Sequence, residues 1–270
     1  MFYEVLLWGQ LVWNIPLLVC FLGIAILYAY VLKQFTNLKL HNKQPLLFFL
    51  SLGLLCLIVG SPLSAISHLS FSLHMMQMSI LYFIVPPLIL VGIPDLMFKQ
   101  VFKLPMIKLI SKLFITPKPA LFLFALLFLM YHLPDVLNVV SQYSFIQNGF
   151  LLLLFMLSFS MWWPIVSPDP KQRFYKDQKK RYAFLSGLIL MPACILFIFN
   201  ALVDGIDNPF LTQITAHLCT PTQTNSLNLL PSPFNTKFDH IMAGTLMLGM
   251  HKFGIMLSFR LGSGSKSEGD

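Results

Sequence analysis

Charged residues are scarce in this sequence. Only 10% of the 270 residues are Asp, Glu, Lys or Arg, whereas soluble domains carry roughly 25%. Hydrophobic residues make up 57% of the chain. This composition excludes an ordinary soluble domain and predicts an integral membrane protein, whose partner along most of its surface is the lipid bilayer.

Several kinds of site are also missing. The four cysteines have no CxxC spacing, and the three that lie inside apolar spans are most simply packing residues. We find no paired carboxylates, no nucleophile with a nearby base and no phosphate-binding loop, so no enzyme is predicted. The chain begins without a basic segment, and we therefore expect no cleavable signal peptide.

Seven apolar runs are present, each close to the roughly 20 residues that cross about 30 Å of hydrocarbon. They predict an all-α integral membrane protein, a bundle of seven transmembrane helices in one domain over residues 1–261. The polar Gly/Ser-rich tail, residues 262–270, is predicted to be disordered or foreign to the natural chain. The runs are Leu11–Leu32, Pro45–Ala65, Met75–Ile93, Pro119–Leu133, Phe145–Val166, Tyr182–Val203 and Phe238–Arg260.

The formal charge of +8 comes from basic residues in alternate connections. They follow the first, third and fifth runs, whereas the intervening connections contain a single basic residue, Lys237. By the positive-inside rule, the N-terminus is outside and the C-terminus is cytoplasmic. The charge thus sets orientation, and no nucleic-acid partner is expected. The connection from Asp95 to Lys118 alternates lysines with apolar residues, which predicts an amphipathic helix on the inner leaflet.

Histidine and methionine cluster at the predicted outer boundary. His74 and Met78 lie four residues apart and so share a helix face. The same topology brings His132 and His240 to the outer ends of the fourth and seventh spans, with His68, Met75 and Asp239 as further candidates. Imidazole and thioether are soft donors, which favours cuprous copper, Cu(I), over zinc. The alternative is that the methionines fill gaps between helices.

The seventh span has a continuous face formed by His240, Gly244, Met247 and His251. This face either extends a metal or proton path inward or packs against another helix, with Gly244 as a point of close approach.

Several short motifs resemble the CtaG family of Bacillus-type, caa3-type cytochrome c oxidase assembly factors. They occur in the family's order between Ser61 and Met247. The motifs are Ser61-Pro62-Leu63, His74-Met75-Met76-Gln77, Pro86-Pro87-Leu88, Gly92-Ile93-Pro94, Tyr131-His132-Leu133-Pro134, Trp162-Trp163-Pro164, and Asp239-His240 leading to Ala243-Gly244 and Met247.

The resemblance implies a multi-pass protein of the bacterial plasma membrane that helps to build the oxidase as a copper metallochaperone. Its expected partners are oxidase subunits and copper donor proteins, and His74, His132 and Asp239 are the polar positions of its motifs. The chain departs from the family in two places. Many members have histidine at the position of Met78 and glutamine at that of His240; the first change keeps a soft donor and the second adds a ligand.

Other functions remain open from the sequence. A copper or proton transporter and a haem-handling protein both fit a histidine cluster in a membrane bundle. A retinal protein is a further alternative because Lys252 lies in the seventh span, but the third span offers no carboxylate counter-ion.

Overall fold

The computed structural model describes residues 13–67, 70–101, 116–203 and 237–263, and within these ranges all regular structure is helical. The helices, labelled in chain order, are α1 (Ile15–Phe35), α2 (Lys43–Gly60), α3 (Leu63–Ser67), α4 (Phe71–Gly92), α5 (Asp95–Val101), α6 (Pro117–Tyr131), α7 (Pro134–Gln142), α8 (Ser144–Val166), α9 (Lys176–Val203) and α10 (Lys237–Ser263).

Six of the seven predicted spans each overlap one helix in this set, whereas the second, Pro45–Ala65, runs past the end of α2 into α3. Five of the described helices are long and apolar enough to cross a membrane, namely α1, α2, α4, α8 and α10. Helix α6 is apolar but shorter, and α9 begins with a charged turn before its apolar part. The membrane character and the all-helical class are therefore confirmed, whereas the count of seven spans and the orientation stay predictions.

Helix α4 lies at the centre of the bundle. In its most apolar stretch 78% of the residues are buried, against 11% in α1. The first half of α4 packs against α10, and its second half packs against α2 and α8. Helix α6 lies between α8 and α9. Helix α9 also contacts α10. The histidine of the central helix is therefore enclosed by protein on several sides.

The double proline in α4 is accommodated by a contact from a neighbouring helix. Neither Pro86 nor Pro87 has an N–H group, so neither can donate to the carbonyl oxygen of Tyr82 one helical turn earlier. The indole N–H of Trp162, on α8, donates to that oxygen at 2.9 Å instead. The Pro-Pro motif of α4 and Trp162 of α8 therefore meet in the structure.

Glycines allow close packing at three helix contacts. A Cβ atom on Gly254 would lie 2.5 Å from the carbonyl oxygen of Phe83, and one on Gly92 would lie 2.7 Å from the backbone nitrogen of Phe48. At Gly244 the nearest atom would be the carbonyl oxygen of Cys194, at 2.7 Å. Only glycine can bring backbone this close, so these positions set the spacing of α4 and α10 to their neighbours.

The connection after α4 is helical in its described part. Helix α5 begins at Asp95, whose carboxylate accepts a hydrogen bond from Lys99 at 2.5 Å and raises the pKa of that lysine. The rest of the predicted amphipathic helix, residues 102–115, lies outside the described residues, as does most of the predicted tail, residues 264–270.

Candidate metal centre

The structure brings His74 and His132 together. His74 lies in the second turn of α4 and is 1% exposed; His132 caps the C-terminus of α6 and is 3% exposed. The centroids of their imidazole rings are 6.2 Å apart, and the ring planes are inclined by 55°. Two histidines separated by almost sixty residues in the chain thus form one buried pair.

A backbone carbonyl fixes the tautomer of His132. Its Nδ1 lies 2.7 Å from the carbonyl oxygen of Phe128, one turn earlier on α6. A carbonyl oxygen only accepts hydrogen bonds, so Nδ1 carries the proton in the neutral ring and the ligating lone pair is on Nε2. Metal-binding histidines are commonly oriented in this way through their second nitrogen.

Aromatic rings surround the pair. The ring of Tyr131 stacks on His74 with a centroid separation of 6.3 Å and meets His132 at 5.0 Å. The ring of Phe128 lies 4.4 Å from His132. These rings give both imidazoles apolar neighbours, and they cover His132 most closely.

Met78 shares a cavity with His74. Both side chains line a cavity of about 400 Å³, which we call the His74 cavity; it is bounded by residues of α1, α2, α3, α4 and α8. Met78 is 3% exposed and lies one turn below His74 on the same face of α4. Met75 is completely buried, but it follows His74 directly and a helix turns roughly 100° per residue, so it lies on another face.

Asp239 binds the start of the histidine-bearing helix. Its Oδ1 accepts hydrogen bonds from the Ser70 hydroxyl at 2.7 Å and the Ser72 N–H at 3.1 Å. Its Oδ2 accepts one from the Phe71 N–H at 2.9 Å. The first N–H groups of a helix lack partners within the helix and form the positive end of its dipole, so a buried carboxylate is stabilised there. This geometry favours a positioning role for Asp239, which holds α10 one turn above His74.

His240 lies at the same end of the bundle, next to the capped turn. Its ring is 5% exposed and packs against Phe71 with a centroid separation of 4.4 Å. Phe71 precedes His74 by three residues on α4, so His240 lies about one turn above the histidine pair. The remaining candidate, His68, lies outside the described residues.

The predicted face of α10 is buried along its length. His240, Gly244, Met247 and His251 all face protein, and His251 Nε2 lies 3.3 Å from the Ser186 hydroxyl. Gly244 is a point of close helix contact, as the packing interpretation expected. Lys252 is exposed on the outside of the bundle, whereas a retinal protein needs its lysine inside; the retinal alternative is therefore disfavoured.

Several important groups were not identified from the sequence. Tyr131 was noted only as part of a motif, and neither Ser70 nor the Phe128 carbonyl was considered. Gln77 binds the carbonyl of Ile58 at 2.8 Å and lines the His74 cavity. Its position three residues after His74, on the same helix face, was the available signal.

The donor set suits a soft ion held by few ligands. Among the described residues, no three His, Cys, Asp or Glu side chains come together as a metal-binding group. The pair His74 and His132, with the thioether of Met78 on the same helix face, is therefore the strongest set of candidate donors in the described part. Two imidazoles and a thioether favour Cu(I) over ions that need more or harder ligands.

The comparison with protein families gives a match that covers most of the chain. Residues 21–258 match the family described as cytochrome c oxidase caa3 assembly factor (Caa3_CtaG). No curated protein and no solved structure gave a significant match. The matched region contains the histidine pair, the Asp239 cap and every motif on which the resemblance was based. On this match, the chain belongs to the family of cytochrome c oxidase caa3 assembly factors.

Proposed function

We propose that this assembly factor binds one Cu(I) ion between His74 and His132, with Met78 as a third donor, and delivers it to the oxidase. The observation that carries the proposal is the 6.2 Å separation of the two buried rings. Metal–imidazole bonds of about 2.0–2.1 Å place two ring centroids roughly 6 Å apart when the ion lies between them. The pair therefore has the spacing that a shared ion requires.

The surroundings suit a cargo ion. An imidazole that ligates a metal is neutral, and aromatic rings adjoin this pair, so a singly charged ion is favoured over a doubly charged one, which would need more compensation. A site with two or three protein ligands leaves a position from which a partner's ligand can attack. Transfer then proceeds by ligand exchange: a partner donor binds the ion before Met78 or an imidazole leaves it.

We further propose that the chain spans the bacterial plasma membrane seven times, with the histidine pair near the outer face. The basic connections after the first, third and fifth runs support this orientation. In this arrangement the site faces the side from which copper donor proteins and oxidase subunits are reached. Single cysteines placed in successive connections, labelled with a membrane-impermeant thiol reagent, test the topology.

The function is tested in cells by the copper content of the oxidase. Chains with His74→Ala or His132→Ala should insert into the membrane at normal levels, while the oxidase lacks copper and activity. His41→Ala is the matched control because His41 is exposed and lies outside the candidate site. Normal oxidase copper in both site variants would overturn the proposal.

A further inference from the structure

One face of α10 is left uncovered by the other described helices. The helix packs against α4, α8 and α9, yet only 33% of its most apolar stretch is buried. Exposed residues recur along it every three or four positions, which is the spacing of a single helix face. We call this surface the Lys252 face. It includes Thr245, Gly249, Lys252, Phe253, Met256 and Arg260.

Lys252 lies near the middle of the apolar part of α10. At 1.5 Å per residue, it is about 18 Å along the helix from His240 and about 12 Å from Arg260. The segment between these two residues is therefore about as long as the roughly 30 Å of hydrocarbon is thick. The stem of a lysine has four carbons and leans toward the N-terminus of its helix, so it cannot carry the charge to the level of Arg260. The ammonium group thus lies within the hydrocarbon, on a lipid-facing surface.

This chain offers Lys252 no counter-charge at that depth. None of the ten Asp and Glu residues lies inside an apolar run except Asp239, which is in the first turn of α10 and binds the start of α4. Lys252 forms no ion pair within the described ranges. Cations within a membrane are costly, and they usually pair with an acidic group or face the interior of a bundle. The counter-charge therefore comes from another molecule, and a second copy of this chain has none at this depth.

The shape of the Lys252 face suits a helix. A Cβ atom on Gly249, about one turn before Lys252, would meet nothing within 4 Å. Thr245 lies one turn earlier, and its hydroxyl donates to the carbonyl oxygen of Ile241 at 3.0 Å, so its polar group is already satisfied. Two small residues four positions apart let another helix approach closely. A lipid phosphate, in contrast, lies outside the hydrocarbon, beyond the reach of the lysine.

We propose that the Lys252 face docks a transmembrane helix of a different protein, one that carries an Asp or Glu near the middle of its span. The carboxylate accepts a charge-assisted hydrogen bond from Lys252 Nζ, and the partner's backbone packs over Thr245 and Gly249. Each charge is unpaired in lipid until the two helices meet, and this drives their association. The proposal rests on α10 crossing the bilayer and does not depend on copper binding.

Carbodiimide cross-linking in native membranes tests the proposal. A hydrophobic carbodiimide activates a carboxylate within the bilayer, and the amine of a neighbouring lysine then attacks the activated carbonyl carbon. An amide bond forms, and the oxygen that leaves the carboxyl group departs in the urea derived from the reagent. Mass spectrometry of the digested product locates the bond. Lys99 and Asp95, which form an ion pair within this chain, are the internal control for the reaction.

The wild-type protein should give an amide bond between Lys252 and a carboxylate in an apolar span of a different protein. Lys252→Met should abolish this product, whereas Lys33→Met, which removes an exposed lysine in the last turn of α1, should leave its yield unchanged. Gly249→Leu should lower the yield about tenfold, as for a loss of roughly 1.4 kcal/mol of association free energy. Gly53→Leu is the matched control, because a Cβ atom there also meets nothing within 4 Å.

Loss of the Lys252 product while the Lys99–Asp95 product still forms would overturn the proposal. A bond from Lys252 to a carboxylate outside any apolar span would do the same. So would labelling of Lys252 by a membrane-impermeant amine reagent to the same extent as Lys33, because the charge would then lie at the lipid surface. Cu(I) binding to the Lys252→Met protein should be unchanged, which distinguishes failure of this proposal from failure of the copper site.

Discussion

The carboxylate of Asp239 accepts a hydrogen bond from the backbone N–H of Phe71 at 2.9 Å, across 168 positions of sequence. This contact, together with those to Ser70 and Ser72, closes the N-terminus of α4 with a side chain from α10. The helix that bears His74 is thus held from outside its own segment, and the position of the histidine depends on the last helix of the chain.

Asp239→Ala should destabilise the protein and shift α4 relative to α6. Hydrogen bonds to a charged group contribute about 1.5–3 kcal/mol each, and the variant leaves buried donors without their acceptor. Thermal unfolding of the purified protein measures the loss. Asp177→Ala is the control, because Asp177 is also in the first turn of a helix but is exposed. Equal unfolding temperatures for the two variants would contradict the capping role.

The contact between α10 and α4 depends on Gly254. Gly254→Ala should cost about 1–3 kcal/mol of stability, because its Cβ would overlap the carbonyl oxygen of Phe83. Gly249→Ala, on the same helix, meets nothing within 4 Å and should be neutral or gain up to about 1 kcal/mol of helix propensity. The measurement is the unfolding temperature of each variant. A Gly249→Ala protein that unfolds at a lower temperature than Gly254→Ala would refute the prediction.

Met78 should control which metal is bound. Met78→Leu keeps the volume but removes the proposed third donor, and Cu(I) affinity is expected to fall at least about 10-fold, the lower end of the range for loss of even an outer partner of a metal ligand. Met78→His should retain copper and also bind Zn²⁺, since imidazole suits both ions. Met156→Leu, a change at a half-exposed methionine on α8, serves as the control. Unchanged Cu(I) affinity in Met78→Leu would remove this residue from the site.

The positions of the five long apolar helices were predictable because a helix that crosses a bilayer must be long and apolar. The meeting of His74 and His132 followed from the same argument: once connections alternate sides, the start of the third span and the end of the fourth must lie at one face. The local composition of the sequence therefore predicts which segments form apolar helices and at which face each helix ends.

The contacts within the site could not be predicted in the same way. That Asp239 would meet the N-terminus of α4 depends on how far α10 slides along α4, and the close approach of Gly254 to Phe83 helps to set that position. The tautomer of His132 depends on one side-chain rotation toward the Phe128 carbonyl. The His74 cavity depends on the gap that α8 leaves beside α2 and α4. Each is a property of tertiary packing and leaves no periodic signal.

Cu(I) binding to the purified, reduced protein tests the central claim most directly. Competition with a chromogenic Cu(I) chelator should show one tightly bound ion in the wild type and in His41→Ala. His74→Ala and His132→Ala should each lose at least about 100-fold in affinity, because each removes one of two imidazole ligands. Wild-type affinity and stoichiometry in both site variants would contradict copper binding at this pair.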